Sequence, residues 1–238
     1  MTCMSDVDNN QVGGGSAMIK VLTVSDEVVP TIYHASARKR FHDVDLVLGC
    51  GDLPASYLDY IISNLDVPCF YVPGNHDEPE HTDYGKTLMG PPGGVNIDGR
   101  VVRHDGLVLA GLGGSIWYNG GKHQYSQSAM TARVYKLLPR ILWHRRINGY
   151  GLDILITHSP PAGIHDGTGA HAGFKALRWL IERFPPRYHI HGHVHRNYRL
   201  SNVFETQVGS TIVINTAGYR VLSIERLASV SRPRYNQP

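Results

Sequence analysis

The sequence predicts an α/β fold, because short apolar runs rich in β-branched residues alternate with segments of helical character. A second observation concerns the ends of these runs. Three successive runs are followed by polar residues, namely Asp26, Asp52 and the stretch Asn75-His76-Asp77. In an α/β sheet the carboxyl ends of parallel strands meet at one edge, which is where ligands bind. Asp and Asn are also common in turns and helix caps, so one such position alone would indicate little.

Length and composition describe a chain with enough apolar residues for a substantial core. Its 238 residues are 42% hydrophobic and include no long apolar run, which predicts one large domain or two small ones and no association with a membrane. The formal net charge is +3, and basic residues are scattered apart from residues 38–40 and 145–146. We therefore expect no nucleic-acid partner. A small acidic substrate is compatible with this charge.

Cysteine use predicts a reducing compartment. Cys3, Cys50 and Cys69 are odd in number and lack paired spacing, which argues against a disulfide framework. The first residues are polar and Gly-rich, without the apolar segment of a signal peptide, so we expect a cytoplasmic protein. The predicted organisation is a flexible extension at residues 1–17, a single domain at 18–228 and a polar tail at 229–238.

Apolar runs and turn residues define the elements of the first half. In order, they are a strand at residues 18–25, a helix at about 31–40, a strand at 45–49, a helix at about 56–65 and a strand at 68–72. Turn signals at 96–99 and 104–106 then predict hairpin-like strands between residues 95 and 112. The following Gly-rich loop is either a flexible turn or a pocket wall formed by Trp117 and Tyr118.

The second half continues with a long helix at about 126–147, which either tolerates Pro139 or kinks there. A buried strand at 153–157 ends at His158, and a helix is expected at about 174–184. Two final strands are predicted at 211–215 and 220–225.

Four histidines alternate between residues 189 and 195. In an extended segment side chains two residues apart share a face, so His193 and His195 are expected to point into one cleft. Imidazole suits divalent transition metals. An isolated H-x-H pair is nevertheless weak support for a metal site, and we expect His189 and His191 to be strand residues with structural hydrogen bonds.

In chain order the strand ends provide the following set: Asp26, Asp52 in G-D, Asn75-His76-Asp77 in G-N-H-D, His158, and His193-Val194-His195 in G-H-V-H. This ordered set resembles the calcineurin-like metallophosphoesterase family, whose blocks read D-x-H, G-D, G-N-H-[DE], H and G-H-x-H. The match runs from Asp26 to His195. The stretch 213–216 also looks similar.

The resemblance implies a four-layer α/β/β/α sandwich with two divalent metal ions at the carboxyl ends of its strands. It also implies a role for each matched residue. Asp52 would bridge both ions, Asn75, His158 and His193 would complete one position, and Asp26 and His195 would serve the other. His76 would face the phosphate and assist the leaving group, while Asp77 either orients His76 or caps the following segment.

The residue types agree with that chemistry. A bridging carboxylate holds two cations close together, and two ions about 3.5–4 Å apart can stabilise both the attacking and the leaving oxygen of a displacement at phosphorus. Mixed nitrogen and oxygen ligands favour Mn, Fe, Zn or Co over Ca or Mg. We expect metal-dependent hydrolysis of a small phosphoester by a metal-bound water, with a phosphodiester preferred over a monoester. The alternatives are a scaffold or interaction protein on the same fold, and a purely structural metal site.

The first block departs from the family pattern, because it reads Asp26-Glu27-Val28. Val28 cannot bind a metal, and in an extended chain Glu27 points away from the face of Asp26. A sharp turn at Asp26 would bring Glu27 in, and His34 is another possible substitute. The simplest expectation is a position with only Asp26, Asp52 and His195 as protein ligands, and hence a more weakly bound ion.

Substrate contacts are less specific in the sequence. The candidate pocket walls are Trp117, Tyr118, His165 and Asp166, each of which would otherwise be an ordinary loop residue. The oligomeric state is not predicted.

Overall fold

A computed structural model of the protein describes residues 18–195 and 204–226. The predicted extension at 1–17 and tail at 229–238 lie outside these residues. The helices are α1 (Ala37–Arg40), α2 (Ala55–Leu65), α3 (Gln127–Asn148) and α4 (Lys175–Arg183), with a 3-10 turn at Gly169–His171. The strands are β1 (Met18–Ser25), β2 (Leu46–Gly49), β3 (Cys69–Tyr71), β4 (Glu80–His81), β5 (Thr87–Leu88), β6 (Gly94–Asn96), β7 (Val101–His104), β8 (Leu107–Leu112), β9 (Ser115–Ile116), β10 (Gln124–Tyr125), β11 (Ile154–Thr157), β12 (Tyr188–His191), β13 (Glu205–Val208), β14 (Thr211–Asn215) and β15 (Gly218–Glu225).

Two large sheets form the centre of the molecule. The first has the spatial order β15-β1-β2-β3-β6, in which β15 is antiparallel to β1 and the other pairs are parallel. The second has the order β13-β14-β12-β11-β8-β7, with β7 and β13 as antiparallel edge strands. Its four inner strands are parallel to one another.

Alternate side chains of each sheet enter different hydrophobic layers. Ile19 and Val21 of β1 pack with Ile154 and Ile156 of β11 in the layer between the two sheets. On the outer face of the first sheet, Leu22 belongs to a cluster that includes the α2 residues Tyr57, Leu58 and Ile61. On the outer face of the second sheet, residues of β8 and β11 pack with residues of α3 and α4. The architecture is therefore the four-layer α/β/β/α sandwich that the resemblance implied.

Burial on both faces explains why the parallel strands read as continuous apolar runs rather than alternating ones. Every residue of β8 is buried, as are all residues of β2 and β11. The same continuity made these strands visible in the sequence.

Two predictions about the elements are wrong in detail, and five short strands were not predicted. The helix expected at 31–40 is reduced to Ala37–Arg40, because turns occupy the preceding residues. The turn at 96–99 does not close a hairpin, since β6 belongs to the first sheet and β7 to the second. The short strands β4, β5, β9, β10 and β13 were not expected. A turn signal indicates a reversal of the chain, but the sheet that the next strand joins depends on tertiary packing.

Helix α3 runs without interruption through Pro139. Its first turn is capped by Ser126, whose side chain accepts a hydrogen bond from the backbone N–H of Ala129 at 3.1 Å. The helix ends at Gly149, which adopts a left-handed conformation with φ 82°. No helix in residues 18–195 and 204–226 is both long and apolar enough to cross a membrane.

Candidate metal centre

The residues that follow the parallel strands of both sheets converge at one edge. Asp52 and Asn75 follow β2 and β3 of the first sheet, whereas His158 and His193 follow β11 and β12 of the second. The Oδ2 atom of Asp52 lies 3.3 Å from Nε2 of His158. The edge of each sheet therefore supplies part of a shared site, as expected for parallel strands that end at the same side.

Asp52, His158 and His193 form a candidate metal site. Each offers one ligand atom, and these three atoms all lie within 4.8 Å of one another. The centroids of the His158 and His193 imidazole rings are 4.7 Å apart. Asn75 adds a fourth donor, since its Oδ1 atom lies 3.1 Å from Nε2 of His158. Asp26 and His195 are not members of this close group.

Hydrogen bonds to backbone carbonyls orient both imidazoles of this group. Nδ1 of His158 donates to the carbonyl oxygen of Cys50 at 2.8 Å, which leaves Nε2 facing Asp52 and Asn75. Nε2 of His193 donates to the carbonyl oxygen of Ala170 at 2.8 Å, which leaves Nδ1 as its electron-pair donor. A carbonyl acceptor of this kind fixes the tautomer and orientation of metal-binding histidines.

The donor set fits a divalent cation. Nε2 of His158 faces two oxygen acceptors at 3.1 and 3.3 Å, distances compatible with donors that each lie about 2.1 Å from one ion. Burial alone would lower the pKa of His158, but the nearby Asp52 and Asp26 carboxylates raise it to about 9. Burial would raise the pKa of Asp52, yet His158 holds it well below its usual range. A proton on His158 or a metal ion would therefore supply a favourable positive charge beside the Asp52 carboxylate.

Three of the aligned polar residues adopt a left-handed backbone conformation. The φ angles are 67° for Asp26, 56° for Asp52 and 69° for His193. Such conformations cost non-glycine residues free energy and are concentrated at functional sites. The extended geometry predicted for residues 193–195 is therefore wrong: β12 ends at His191, and the chain turns before it reaches His195.

Two of the motif glycines, Gly74 and Gly192, allow the loops to approach one another closely. A Cβ atom on Gly74 would lie 1.9 Å from Oδ1 of Asp52. A Cβ atom on Gly192 would lie 1.9 Å from Oγ of Ser25 and 2.5 Å from Oδ2 of Asp26. Neither position can carry a side chain while its neighbours keep their places.

Asp26 and His195 lie at the outer part of the site. Both carboxylate oxygens of Asp26 accept a hydrogen bond from the backbone N–H of His193, at 3.0 and 2.9 Å. Burial raises the pKa of Asp26, against the opposing charge of His158. His195 is half-buried, and its Nδ1 atom lies 3.8 Å from Oε1 of Glu27.

His76 and Asp77 occupy the loop that follows β3. The exposed His76 lines an opening of about 300 Å³ together with Asp52, and its backbone N–H donates to Oδ1 of Asp52 at 2.8 Å. The carboxylate of Asp77 accepts from the backbone N–H groups of Leu53 at 3.0 Å and Gly74 at 2.8 Å. Burial raises the pKa of Asp77 to about 6. These contacts connect the G-D and G-N-H-D loops.

The candidate pocket residues differ in their contacts. The hydroxyl of Tyr118 accepts a hydrogen bond from Nδ2 of Asn75 at 3.3 Å, whereas Trp117 is 61% exposed. Nδ1 of His165 lies 3.0 Å from Nε2 of His191, and its Nε2 lies 2.8 Å from Oγ1 of Thr206. Asp166 accepts from the backbone N–H of Gly173 at 3.1 Å. Tyr118 is therefore linked by a hydrogen bond to the candidate ligand Asn75.

The carbonyl groups of Cys50 and Ala170 were not found by sequence reasoning. They act through the backbone, which every residue shares, so no residue type at these positions could have indicated their role. Gly74 belonged to the G-N-H-D motif, but only its distance from Asp52 explains why glycine is needed there.

Comparison with protein families decides the relationship. The family model described as calcineurin-like phosphoesterase matches residues 20–197. The chain belongs to the calcineurin-like phosphoesterase family. Most members of this family are metal-dependent phosphoesterases, and the Asp52, His158 and His193 group agrees with that chemistry.

Individual proteins and solved structures are also similar to the chain. The UPF0046 protein K07C11.7 of Caenorhabditis elegans is 32% identical over 153 residues, which make up 60% of this chain and 47% of that protein. The chain therefore spans about half the length of this curated relative. One crystal structure superposes with a TM-score of 0.58 at 16% identity and covers 89% of this chain and 100% of its own. The calcineurin-like phosphoesterase YfkN from Bacillus subtilis gives a TM-score of 0.45 at 11% identity and covers 90% of this chain and 87% of its own.

Proposed function

We propose that the protein hydrolyses a small phosphoester, and a phosphodiester in preference to a monoester, with the help of two divalent metal ions. The observation that carries this proposal is the close group of Asp52, His158 and His193, with Asn75 beside it. In this proposal manganese is the preferred ion, with iron, zinc and cobalt as the other candidates for the same ligand types.

The two metal positions are unequal in this proposal. Asn75, His158 and His193 hold the tighter ion, and Asp52 bridges to an outer position formed by Asp26 and His195. Buried ligands with fixed hydrogen bonds support a tight inner position. When bound, the ions polarise the phosphoryl group and lower the pKa of a water molecule. Protein purified without added metal should contain fewer than two ions per chain, and two tightly held ions would contradict this inequality.

His76 is the proposed general acid. Its imidazole is exposed at the opening beside Asp52, where it can donate a proton to the oxygen of the leaving alcohol. The hydrogen bond from its backbone N–H to Asp52 anchors the backbone of His76 beside the candidate ligands. Asp77 lines the same opening, and its carboxylate accepts hydrogen bonds from both loops, so we propose that it positions the loop that carries His76.

A second cavity supports a small organic substrate. Its volume is about 340 Å³, and it shares Leu53, Asp77, Glu78 and Pro79 with the opening at His76. Apolar side chains such as Leu58 and Met89 line it, which suits the organic group of a phosphoester. Tyr118, which is hydrogen-bonded to Asn75, forms the proposed substrate wall, with Trp117, His165 and Asp166 as further candidates.

The cysteines support a cytoplasmic location for this enzyme. Cys50 and Cys69 are both buried free thiols. Burial raises the pKa of Cys69 to about 12, so the thiol remains protonated and unreactive at neutral pH.

The decisive experiment measures hydrolysis of bis-p-nitrophenyl phosphate and p-nitrophenyl phosphate with added Mn²⁺. The wild type should cleave the diester faster, and Asp52→Asn should lower the rate by about 100-fold or more because the shared ligand loses its charge. Asp66→Asn is the matched control, since Asp66 has the same φ of 56° but lies at the end of α2.

Two outcomes would contradict the proposal. A wild type inactive on both substrates with Mn²⁺, Fe²⁺, Zn²⁺ and Co²⁺ would favour the scaffold function. An unchanged rate in Asp52→Asn would exclude its role as the shared ligand.

A further inference from the structure

We infer that Glu27 is a ligand of the outer metal position and replaces the histidine that the family pattern has at position 28. The inference rests on the proposed two-metal function. It concerns a residue that the family's ligand blocks do not include. Val28 itself has an aliphatic side chain, is 44% exposed and cannot bind a metal.

The chain turns sharply immediately after β1. Asp26 has a left-handed backbone conformation with φ 67°, and the backbone N–H of Glu27 donates to the carbonyl oxygen of Ser25 at 2.7 Å. The alternation of side chains that holds in a strand ends at this turn. Glu27 therefore no longer has to point away from the face of Asp26.

The carboxylate of Glu27 lies beside the outer histidine. Its Oε1 atom is 3.8 Å from Nδ1 of His195. Two donors that each bind one ion at about 2.1 Å can be up to about 4.2 Å apart, so this separation can be bridged by one cation. The Oε2 atom of Glu27 lies near Gly218. A Cβ atom added to Gly218 would be 3.7 Å from this oxygen. Gly218 pairs with Ser25 at the end of β1, so the carboxylate lies close to the point where β1 ends.

His34 is the competing substitute, but its contacts are local. Its Nδ1 atom lies 2.8 Å from Oγ of Ser36 and accepts the backbone N–H of Ser36 at 3.1 Å. The ring is thus part of the turn that precedes α1. Glu27 is the better candidate because its charged group already contacts a ligand of the outer position.

The exposure of the two side chains predicts an outer position weaker than the inner one. The side chain of Glu27 is 54% exposed and that of His195 is 35% exposed. Both must lose conformational freedom and hydration when an ion binds. Glu27 thus restores a ligand without making the two positions equal.

The test is calorimetric titration of the metal-free full chain with Mn²⁺, with electron paramagnetic resonance as a second readout of bound ions. The wild type should show a tight event and a weaker one. Glu27→Gln should weaken only the second event, by about tenfold or more, since the loss of even an indirect metal partner costs about 10- to 100-fold in affinity. Adding Val28→His to Glu27→Gln should recover the second event. Glu225→Gln is the control, because the exposed Glu225 pairs with Met18 at the opposite end of β1.

The outcomes separate this inference from the proposed function. A wild type that binds no Mn²⁺ would contradict the metal-dependent function itself. If the wild type binds Mn²⁺ and Glu27→Gln gives the same isotherm, the assignment of Glu27 is overturned and the inner site remains. If Glu27→Gln weakens the tight event as much as the second one, Glu27 affects the site as a whole and is not a ligand of the outer position, which also overturns the assignment.

Discussion

Asp52 connects the parts of the candidate site. One carboxylate oxygen accepts the backbone N–H of His76, and the other lies 3.3 Å from His158. Because Gly74 has no side chain, there is room for the Asp52 carboxylate beside it. Asp52 therefore contacts both the G-N-H-D loop and a candidate ligand of the second sheet.

His189 belongs to the same run of alternating histidines as the candidate ligands His193 and His195, but its surroundings are different. It is fully buried in β12, and its Nε2 atom lies 2.8 Å from Oγ1 of Thr157, which itself donates to the carbonyl oxygen of Ser159. Nε2 of His189 must therefore carry a proton and donate to Thr157. Burial lowers the pKa of His189 to about 3, so the ring is neutral in the folded protein.

This burial predicts a pH dependence of stability. The unfolded chain takes up a proton at His189 near pH 6.5, whereas the folded chain does so only near pH 3. Stability from the neutral ring is therefore present above pH 6.5 and is lost as the pH falls, by up to about 1.4 kcal/mol per pH unit. Urea unfolding of the wild type and His189→Gln at pH 7.5, 6 and 5 measures this, and the variant should depend less steeply on pH. His42→Gln, at an exposed position, should keep the wild-type dependence; equal slopes for the wild type and His189→Gln would contradict the expectation.

At the scale of elements, the strands determine where the ligands lie and the turns determine which way they point. Parallel strands β1, β2 and β3 bring Asp26, Asp52 and Asn75 to one edge. The left-handed turns at Asp26 and Asp52 then direct the chain after the strands end. The local sequence is enough to predict strands such as β1 and β2. The left-handed backbone conformation of Asp26 and Asp52, in contrast, is maintained by the contacts around these residues.

Helix α3 contains a local defect that stability measurements can detect. Pro139 lies in its interior and is exposed, and a proline there removes a backbone hydrogen bond and clashes with the preceding turn. Pro139→Ala should raise the free energy of unfolding by about 1–3 kcal/mol. Urea denaturation would measure the difference, with Arg140→Ala at the next exposed position as a control that should change little. A Pro139→Ala variant no more stable than the wild type would mean that the helix has adapted to the proline elsewhere.

At the scale of the whole molecule, the candidate site joins the two sheets. The first sheet supplies Asp52 and Asn75, and the second supplies His158 and His193. These residues can bind one ion together only when the two sheets are packed against each other. Metal binding should therefore stabilise the complete sandwich and not one sheet alone.

This arrangement predicts stabilisation by Mn²⁺. A concentration 100 times the dissociation constant should add about 2.7 kcal/mol to the free energy of unfolding, because the ion binds the folded chain. Denaturant unfolding in EDTA and in Mn²⁺ measures the increment. Asp52→Asn should lose most of it, whereas Asp66→Asn should retain it. An increment of equal size in Asp52→Asn would place the stabilising ion elsewhere.

From the sequence alone, the buried strands β1, β2, β3 and β11, the α/β class and the order of polar residues at the strand ends could be predicted. These features are local: continuous apolar runs reflect burial on both faces, and a polar residue at a strand end follows directly in the chain. The resemblance to a known family added the four layers, which the structure confirms.

Which candidate ligand atoms lie close together depends on the tertiary structure. Asp52 and His158 are more than a hundred positions apart, and their 3.3 Å separation depends on how the two sheets pack. The left-handed turn at Asp26 likewise brings Glu27 to 3.8 Å from His195, although an extended chain would have pointed it away. Distances between remote segments and positive φ angles at non-glycine residues are set by the surrounding packing, and neither can be read from local sequence.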